Sequence, residues 1–169
     1  EYPPGSTFKI VTGVAALSDG KVTPEEKILD TGHHWIIPKG NAEGEALGWI
    51  NFTEALAHSD NVYFYEMGNR LGIDALERYA RMFGLGQKTG INLPYESEGL
   101  VANKAYKKKV FDDDWYLSET FDAAIGQGRD WRGVGSLQEL LGKILQLRGG
   151  SLLEKNQKFI PSEATGQSF

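Results

Sequence analysis

Apolar side chains recur at helical spacing in several stretches of this chain and at strand spacing almost nowhere. Phe8, Val11, Val14, Ala15 and Leu17 fall near the i, i+3, i+4 positions of one helix face, ahead of Ser18-Asp19-Gly20, where glycine suits the left-handed turn that ends a helix. The pattern predicts a helix over 6–17 with Ser6 at its N-terminus. A second helix is predicted from Thr53 to about His58, because Asn51 can cap it and Glu54 can answer in a capping box. After a tight turn at Ser59-Asp60-Asn61, Val62 to Leu71 resumes the helical register and stops at Gly72. Asp74-Ala75-Leu76-Glu77 reads as another capping box, opening a helix that runs to Phe83 and ends at Gly84.

Between these stretches the pattern breaks. Residues 21–50 carry Pro24, Gly32, Pro38, Gly40, Gly44 and Gly48, and read as loop with one short strand at Trp35-Ile36-Ile37. Residues 85–135 are punctuated by glycines and read as a long loop, with Lys107-Lys108-Lys109 and Asp112-Asp113-Asp114 on one solvated segment. Ser136-Leu137-Gln138-Glu139 then opens a helix striped by Leu137, Leu140, Leu141, Ile144 and Leu145 and closed by Gly149-Gly150. A short strand follows at Ser151-Leu152-Leu153. No repeat is visible, and the whole reads as helix-rich with little sheet.

Composition narrows the function classes. The 169 residues are of one-domain size, and 18 Lys plus Arg against 23 Asp plus Glu leave a net charge of -5, which disfavours a nucleic-acid partner. With no cysteine, disulfides, thiolate metal sites and thiol nucleophiles are excluded. No apolar run reaches the roughly 20 residues that cross a bilayer. An ordered-looking motif begins at Tyr2-Pro3-Pro4-Gly5, directly behind Glu1, so the sequence reads as a piece of a longer protein.

Ser6-Thr7-Phe8-Lys9 places a serine on the first turn of a helix and a lysine three residues later, so both project from one face. A serine needs a nearby base to become a nucleophile, and a lysine can serve when burial lowers its pKa. The helix N-terminus adds amides that can stabilise an oxyanion. Ser59-Asp60-Asn61, 53 residues on, supplies further short polar side chains in a turn between helices.

S-x-x-K followed by S-x-N resembles the penicillin-recognising serine enzymes, the penicillin-binding transpeptidases and serine β-lactamases. Tyr2 to Lys9 resembles the nucleophile segment of the class B penicillin-binding proteins. His58 to Tyr65 with Leu71-Gly72-Ile73-Asp74 resembles the second-motif helix pair of their type 2 members, Phe83 to Gly86 and Thr89 to Pro94 the loop that follows, and Ala124 to Gly128 a later segment. The resemblance runs to about residue 153 and is clearest over 1–128.

That resemblance implies a partial transpeptidase domain over 1–169, of the α/β serine transpeptidase (penicillin-binding protein/β-lactamase-like) fold. This chain would form mainly its helix-rich part, with most of the central sheet absent. It implies peptidoglycan D,D-transpeptidation through an acyl-enzyme on Ser6, with Lys9 as general base, Ser59 relaying a proton to the leaving amine, and Asn61 binding the amide of the acyl donor. The implied ligands are peptidoglycan stem peptides and β-lactams, with other cell-wall synthesis proteins as partners and no cofactor or metal. The implied location is the extracytoplasmic face of a bacterial inner membrane, with an anchor upstream. A serine β-lactamase and a non-catalytic β-lactam-binding or sensing module share the same two motifs and stay open as alternatives.

Lys88-Thr89-Gly90 spells the family's third motif but lies between Gly86 and Pro94, after the second helix group, and reads as a structural turn. With no such motif after Gly150, an active site built from this chain alone is expected to be incomplete. His33 and His34 have no carboxylate at metal spacing and read as exposed or packing residues, His58 as a helix-end residue, and Tyr63, Phe64, Tyr65 and Met67 as core. Gly126-Gln127-Gly128 lacks the flanking strand and lysine of a phosphate cradle.

Overall fold

The helix predicted from Ser6 is built in two parts. In a computed structural model that describes residues 3–88 and 97–128, a 3₁₀ turn, Gly5–Phe8, leads into helix α1, Lys9–Ser18. Then come strands β1, Ile28–Asp30, and β2, Gly48–Ile50, and helices α2, Phe52–Ala57, α3, Asn61–Leu71, α4, Ile73–Met82, α5, Lys104–Phe111, and α6, Leu117–Ala124. These elements lie in one compact unit, Glu1–Gly135. The helix expected over 136–145 and the strand at 151–153 lie outside the described residues.

Helix α3 is the centre. Val62, Tyr63, Phe64, Tyr65, Met67 and Gly68 are all buried, and between the two end residues Asn61 and Leu71 only Glu66, Asn69 and Arg70 lie nearer to solvent. A helix apolar on most sides must be covered on most sides, and α3 packs against α1, α2, α4, α6 and β1. Its aromatic residues join Ala16, Val22, Ile50, Ala55, Phe121 and Ile125 in the core. Where α3 meets α6, a Cβ on Gly68 would come within 2.6 Å of the Ala124 Cβ, so glycine sets the distance between the two helices. Thr12 Oγ1 donates to the Ala124 carbonyl at 2.7 Å and fastens α1 to the end of α6.

Four expectations are corrected. The strand is not at Trp35–Ile37, where Trp35 is exposed and the chain bends. The antiparallel pair is β1 with β2, in register Ile28↔Ile50, Leu29↔Trp49 and Asp30↔Gly48. Helix α4 begins at Ile73, one residue before the expected cap. Gly72 turns the chain at φ 74° and Ile73 is buried, so Asp74 falls within the first turn and pairs with Lys104 instead. The long loop of 85–135 contains two helices, α5 and α6. Lys107 is no solvated residue but 1% exposed, held by Asp113, Glu119 and the Asp114 carbonyl, with its Nζ 4.3 Å from the centre of the Tyr116 ring.

Gly68→Val is expected to lower stability by about 1–3 kcal/mol, since overpacking at the α3–α6 crossing outweighs the gain in helix propensity of about 0.5 kcal/mol. Denaturant unfolding of the full-length protein measures it, and an unchanged midpoint would show that α6 moves aside freely.

Candidate active site

Lys9 opens α1 facing inward, with 1% of its surface exposed. A buried ammonium needs an acceptor for each donor, and a single turn provides them. The Nζ donates to the Ser59 carbonyl at 2.5 Å, to Ser59 Oγ at 3.0 Å and to Asn61 Oδ1 at 2.6 Å. The Phe64 ring, 5.8 Å away, forms an apolar wall. Burial draws the Lys9 pKa down from 10.5 to about 8, and the nearby Asp60 carboxylate partly opposes the shift. At pH 7 about a tenth of such an amine is neutral, some hundreds of times more than for a free lysine.

Ser6 is exposed on the 3₁₀ turn, and its carbonyl accepts the Lys9 backbone N–H. Its hydroxyl makes no hydrogen bond among the described residues. The Gly5 N–H donates to the Gly126 carbonyl at 2.9 Å and ties this turn to the end of α6. A Cβ on Gly126 would lie 2.2 Å from the Gly5 oxygen, so the first glycine of Gly126-Gln127-Gly128 permits close backbone approach.

The 59–61 turn is shaped by the end of α2 and the start of α3. The Asp60 N–H reaches the Ala55 carbonyl and the Ser59 N–H the Leu56 carbonyl, which is the double bond pattern of a left-handed helix terminus. Ser59 occupies the left-handed position, φ 54°, usually left to glycine. That conformation presents both its carbonyl and its hydroxyl to Lys9. Asp60 caps α3, its Oδ1 accepting the Tyr63 N–H at 2.6 Å. Burial pushes the Asp60 carboxyl up to about 6, against the hydrogen bonds from Tyr63 and Asn41, and the neighbouring Asp30 pushes the same way as burial.

Lys9, Ser59 and Asn61 are therefore hydrogen-bonded together, with Ser6 one helical turn from Lys9. The sequence reading missed Asp30 and Asn41, which back the turn. Their only signal was Gly40-Asn41, a generic turn dipeptide. Lys88 is exposed, and the rest of its triplet lies outside the described residues. His58 ends α2 and is exposed. His33 is exposed, whereas His34 is buried with Nε2 3.1 Å from Glu66. The described residues contain no cluster of side chains fit to hold a metal ion. A cavity of about 350 Å³ over His34 and Glu66, flanked by Trp35 and Trp49, is lined by none of the four candidate residues.

The family model of the penicillin binding protein transpeptidase domain matches residues 1–136, and the chain belongs to that family. It is 37% identical over 131 residues to the peptidoglycan D,D-transpeptidase MrdA of Acinetobacter baumannii, covering 75% of this chain and 20% of that protein. It is 38% identical over 160 residues to the stage V sporulation protein D of Bacillus subtilis, covering 89% of this chain and 22% of that protein. The chain thus spans about a fifth of the length of the curated relatives it matches. Its fold is similar to the crystal structure of Pseudomonas aeruginosa PBP2 in complex with WCK 5153, with TM-score 0.77 and 33% identity over 82% of this chain and 32% of that one. It is also similar to PBP2 of Helicobacter pylori in complex with MreC, with TM-score 0.73 and 32% identity over 79% of this chain and 25% of that one. The helix-rich described region with its two short strands is consistent with part of such a domain.

Two expectations follow. Ser59→Gly is expected to be more stable than Ser59→Ala by about 1 kcal/mol, because both lose the hydroxyl but only glycine takes positive φ without strain. Equal unfolding midpoints would remove strain from the account. For Asp60, a carboxyl pKa raised on folding contributes stability that is full below its unfolded value near 4 and lost as pH rises through about 6. Asp60→Asn keeps the cap without the charge, so its melting temperature is expected to gain on the wild type as pH rises from 4 to 7. A constant difference would overturn that assignment.

Proposed function

We propose that this chain is the helix-rich part of the transpeptidase domain of a type 2 penicillin-binding protein, a peptidoglycan D,D-transpeptidase acting through an acyl-enzyme on Ser6. One observation supports this above the rest: a buried lysine of lowered pKa, one helical turn from an exposed serine, hydrogen-bonded to the serine and asparagine of S-x-N.

In this reading Ser6 Oγ attacks the carbonyl of the penultimate D-alanine of a stem peptide while neutral Lys9 accepts its proton. The Ser6 backbone amide stabilises the oxyanion as one of the donors the site needs. As the tetrahedral intermediate collapses, the C–N bond breaks and the leaving amine takes a proton passed through Ser59 Oγ, which already lies 3.0 Å from Lys9 Nζ. D-alanine departs, and Asn61 holds the donor's amide. An amine from a second stem peptide then attacks the ester, Lys9 accepts its proton, and Ser6 is regenerated with a new peptide bond. A β-lactam follows the first half, but its leaving amine stays tethered, so the ester persists.

The substrate would place the protein on the extracytoplasmic face of the inner membrane, anchored by a segment outside this sequence; no helix among the described residues is long and apolar enough to cross a membrane. The complex of H. pylori PBP2 with MreC supports other cell-wall proteins as partners.

A fluorescent penicillin applied to the full-length protein tests the reading, with mass spectrometry locating the adduct. Labelling is expected on Ser6, abolished in Ser6→Ala and lowered at least about a hundredfold in Lys9→Met. Only the neutral amine accepts a proton, so the labelling rate is expected to rise with pH and level off above about 8. An adduct surviving Ser6→Ala would overturn the assignment, and fast turnover of a chromogenic cephalosporin would favour the β-lactamase reading.

A further inference from the structure

Asn41 belongs to no helix or strand, yet it joins β1 to the turn that faces Lys9. Its side-chain Nδ2, with two hydrogens shared among three acceptors, lies 3.0 Å from Asp30 Oδ2, 2.8 Å from Asp60 Oδ2 and 2.9 Å from the Glu45 carbonyl oxygen. Its Oδ1 accepts the Asn61 N–H at 2.7 Å and lies 3.4 Å from the Val62 N–H. These are first-turn amides of α3 that have no partner within the helix. With Asp60 on the Tyr63 amide, two side chains from separate segments cap the helix that begins at Asn61.

The loop carrying Asn41 is itself fixed. The Asn41 N–H donates to the Gly32 carbonyl, and Gly40 packs so closely that a Cβ there would lie 1.9 Å from the Gly32 oxygen. Asp30 is 2% exposed and accepts the Gly32 and Leu47 amides, each at 2.7 Å. Asp60, the other carboxylate that Asn41 touches, is 3% exposed. Two buried carboxylates in one place repel unless a donor or a proton lies between them. The Asn41 amide supplies a donor to both, while the direct contact of Asp60 with Asp30 favours a proton and pushes the Asp60 pKa the other way. An asparagine that merely closed its own loop would need none of these contacts to Asp60, Asn61 and Val62.

We propose that Asn41 is a positioning residue for acylation. It clamps Asp60 to Asp30, holds the Asn61 amide, and so fixes Ser59 Oγ and Asn61 Oδ1 against Lys9 Nζ. The proposal rests on the acylation reading of Ser6, Lys9, Ser59 and Asn61 and adds the part that places two of them. The charged groups facing Asn41 are Asp30 from β1 and Asp60 from the turn, with Lys9 of α1 one hydrogen bond further, through Asn61.

The test uses full-length protein, a labelled penicillin, and ¹³C NMR of isotopically labelled lysine to follow the Lys9 amine. Asn41→Ala is expected to slow acylation of Ser6 by about a hundredfold, the usual size of an ångström-scale misplacement. It is also expected to raise the Lys9 titration from about 8 toward the ordinary lysine value, as the loosened turn admits water. Asn41→Asp keeps an oxygen for Asn61 but loses the donor between Asp30 and Asp60, and a proton can restore that donor. Its rate relative to wild type, taken per folded molecule from melts of both proteins at each pH, is therefore expected to climb about tenfold or more from pH 8 to pH 5, a change that a loss of folded protein is thereby kept from mimicking. The Asn41→Asp profile carries the test if Asn41→Ala fails to fold. A flat ratio, or wild-type acylation in Asn41→Ala with the Lys9 titration unmoved, would overturn the proposal. A wild-type protein that takes no label would instead overturn the acylation reading, and the Lys9 titration in Asn41→Ala would then decide the positioning role alone.

Discussion

The structure depends on one buried amine. Lys9 lies inside the protein at 1% exposure, and an ammonium there is tolerable only if oxygens meet it. No residue of α1 supplies them. They come from a turn some 50 residues away, so α1 and the α2–α3 junction must be adjacent for either to be stable. That requirement explains why α3 is apolar on most of its circumference: the helix that starts at the turn has to enter the core beside α1 and be covered by α4, α6 and β1.

The same requirement concentrates unfavourable local features around the turn. Ser59 adopts a backbone conformation that costs a side chain about 1 kcal/mol or more, Lys9 is pulled toward neutrality, and Asp60 is buried beside Asp30. Away from it the packing is conventional: Phe8, Phe64, Met67, Leu76 and Phe121 are fully enclosed, and Thr12 and Gly68 bring α1 and α6 close to their neighbours. The core thus offsets the strain at the turn, a distribution expected where chemistry needs groups held away from their preferred states.

Elements whose signals are local were legible in the sequence. The Asn51–Glu54 capping box formed as read, and α3 ended at Gly72. Helices α5 and α6 were hidden because their stability is not local. α5 is the polar run Lys104–Phe111, capped by Asn103 and tied to α6 by Lys107, which reaches Glu119. A lysine triplet followed by an aspartate triplet carries no period that separates such a tie from a solvated loop. At the candidate site the motif spacing picked out the side chains that touch Lys9. Asp30 and Asn41 escaped because a strand-end aspartate and a loop asparagine acquire meaning only when tertiary structure sets them behind Asp60.

Asp60 also gives the middle position of S-x-N a physical role. A carboxyl with its pKa near 6 is largely ionised at neutral pH, and its charge raises the Lys9 pKa against the larger effect of burial. Burial alone would leave the amine neutral but a weaker base, whereas an unopposed carboxylate would hold it as ammonium. Proton acceptors work best with a pKa near the pH at which they act, and for the role proposed for Lys9 a value of about 8 would leave a usable neutral fraction without surrendering basicity. The bond from Asn41 to Asp60 therefore bears on both variables at once, keeping the carboxylate in place and, by hydrogen bonding, lowering its pKa so that it stays charged. Position and proton affinity of the Lys9 amine are thus tied to one small cluster whose two carboxylates, Asp30 and Asp60, are buried.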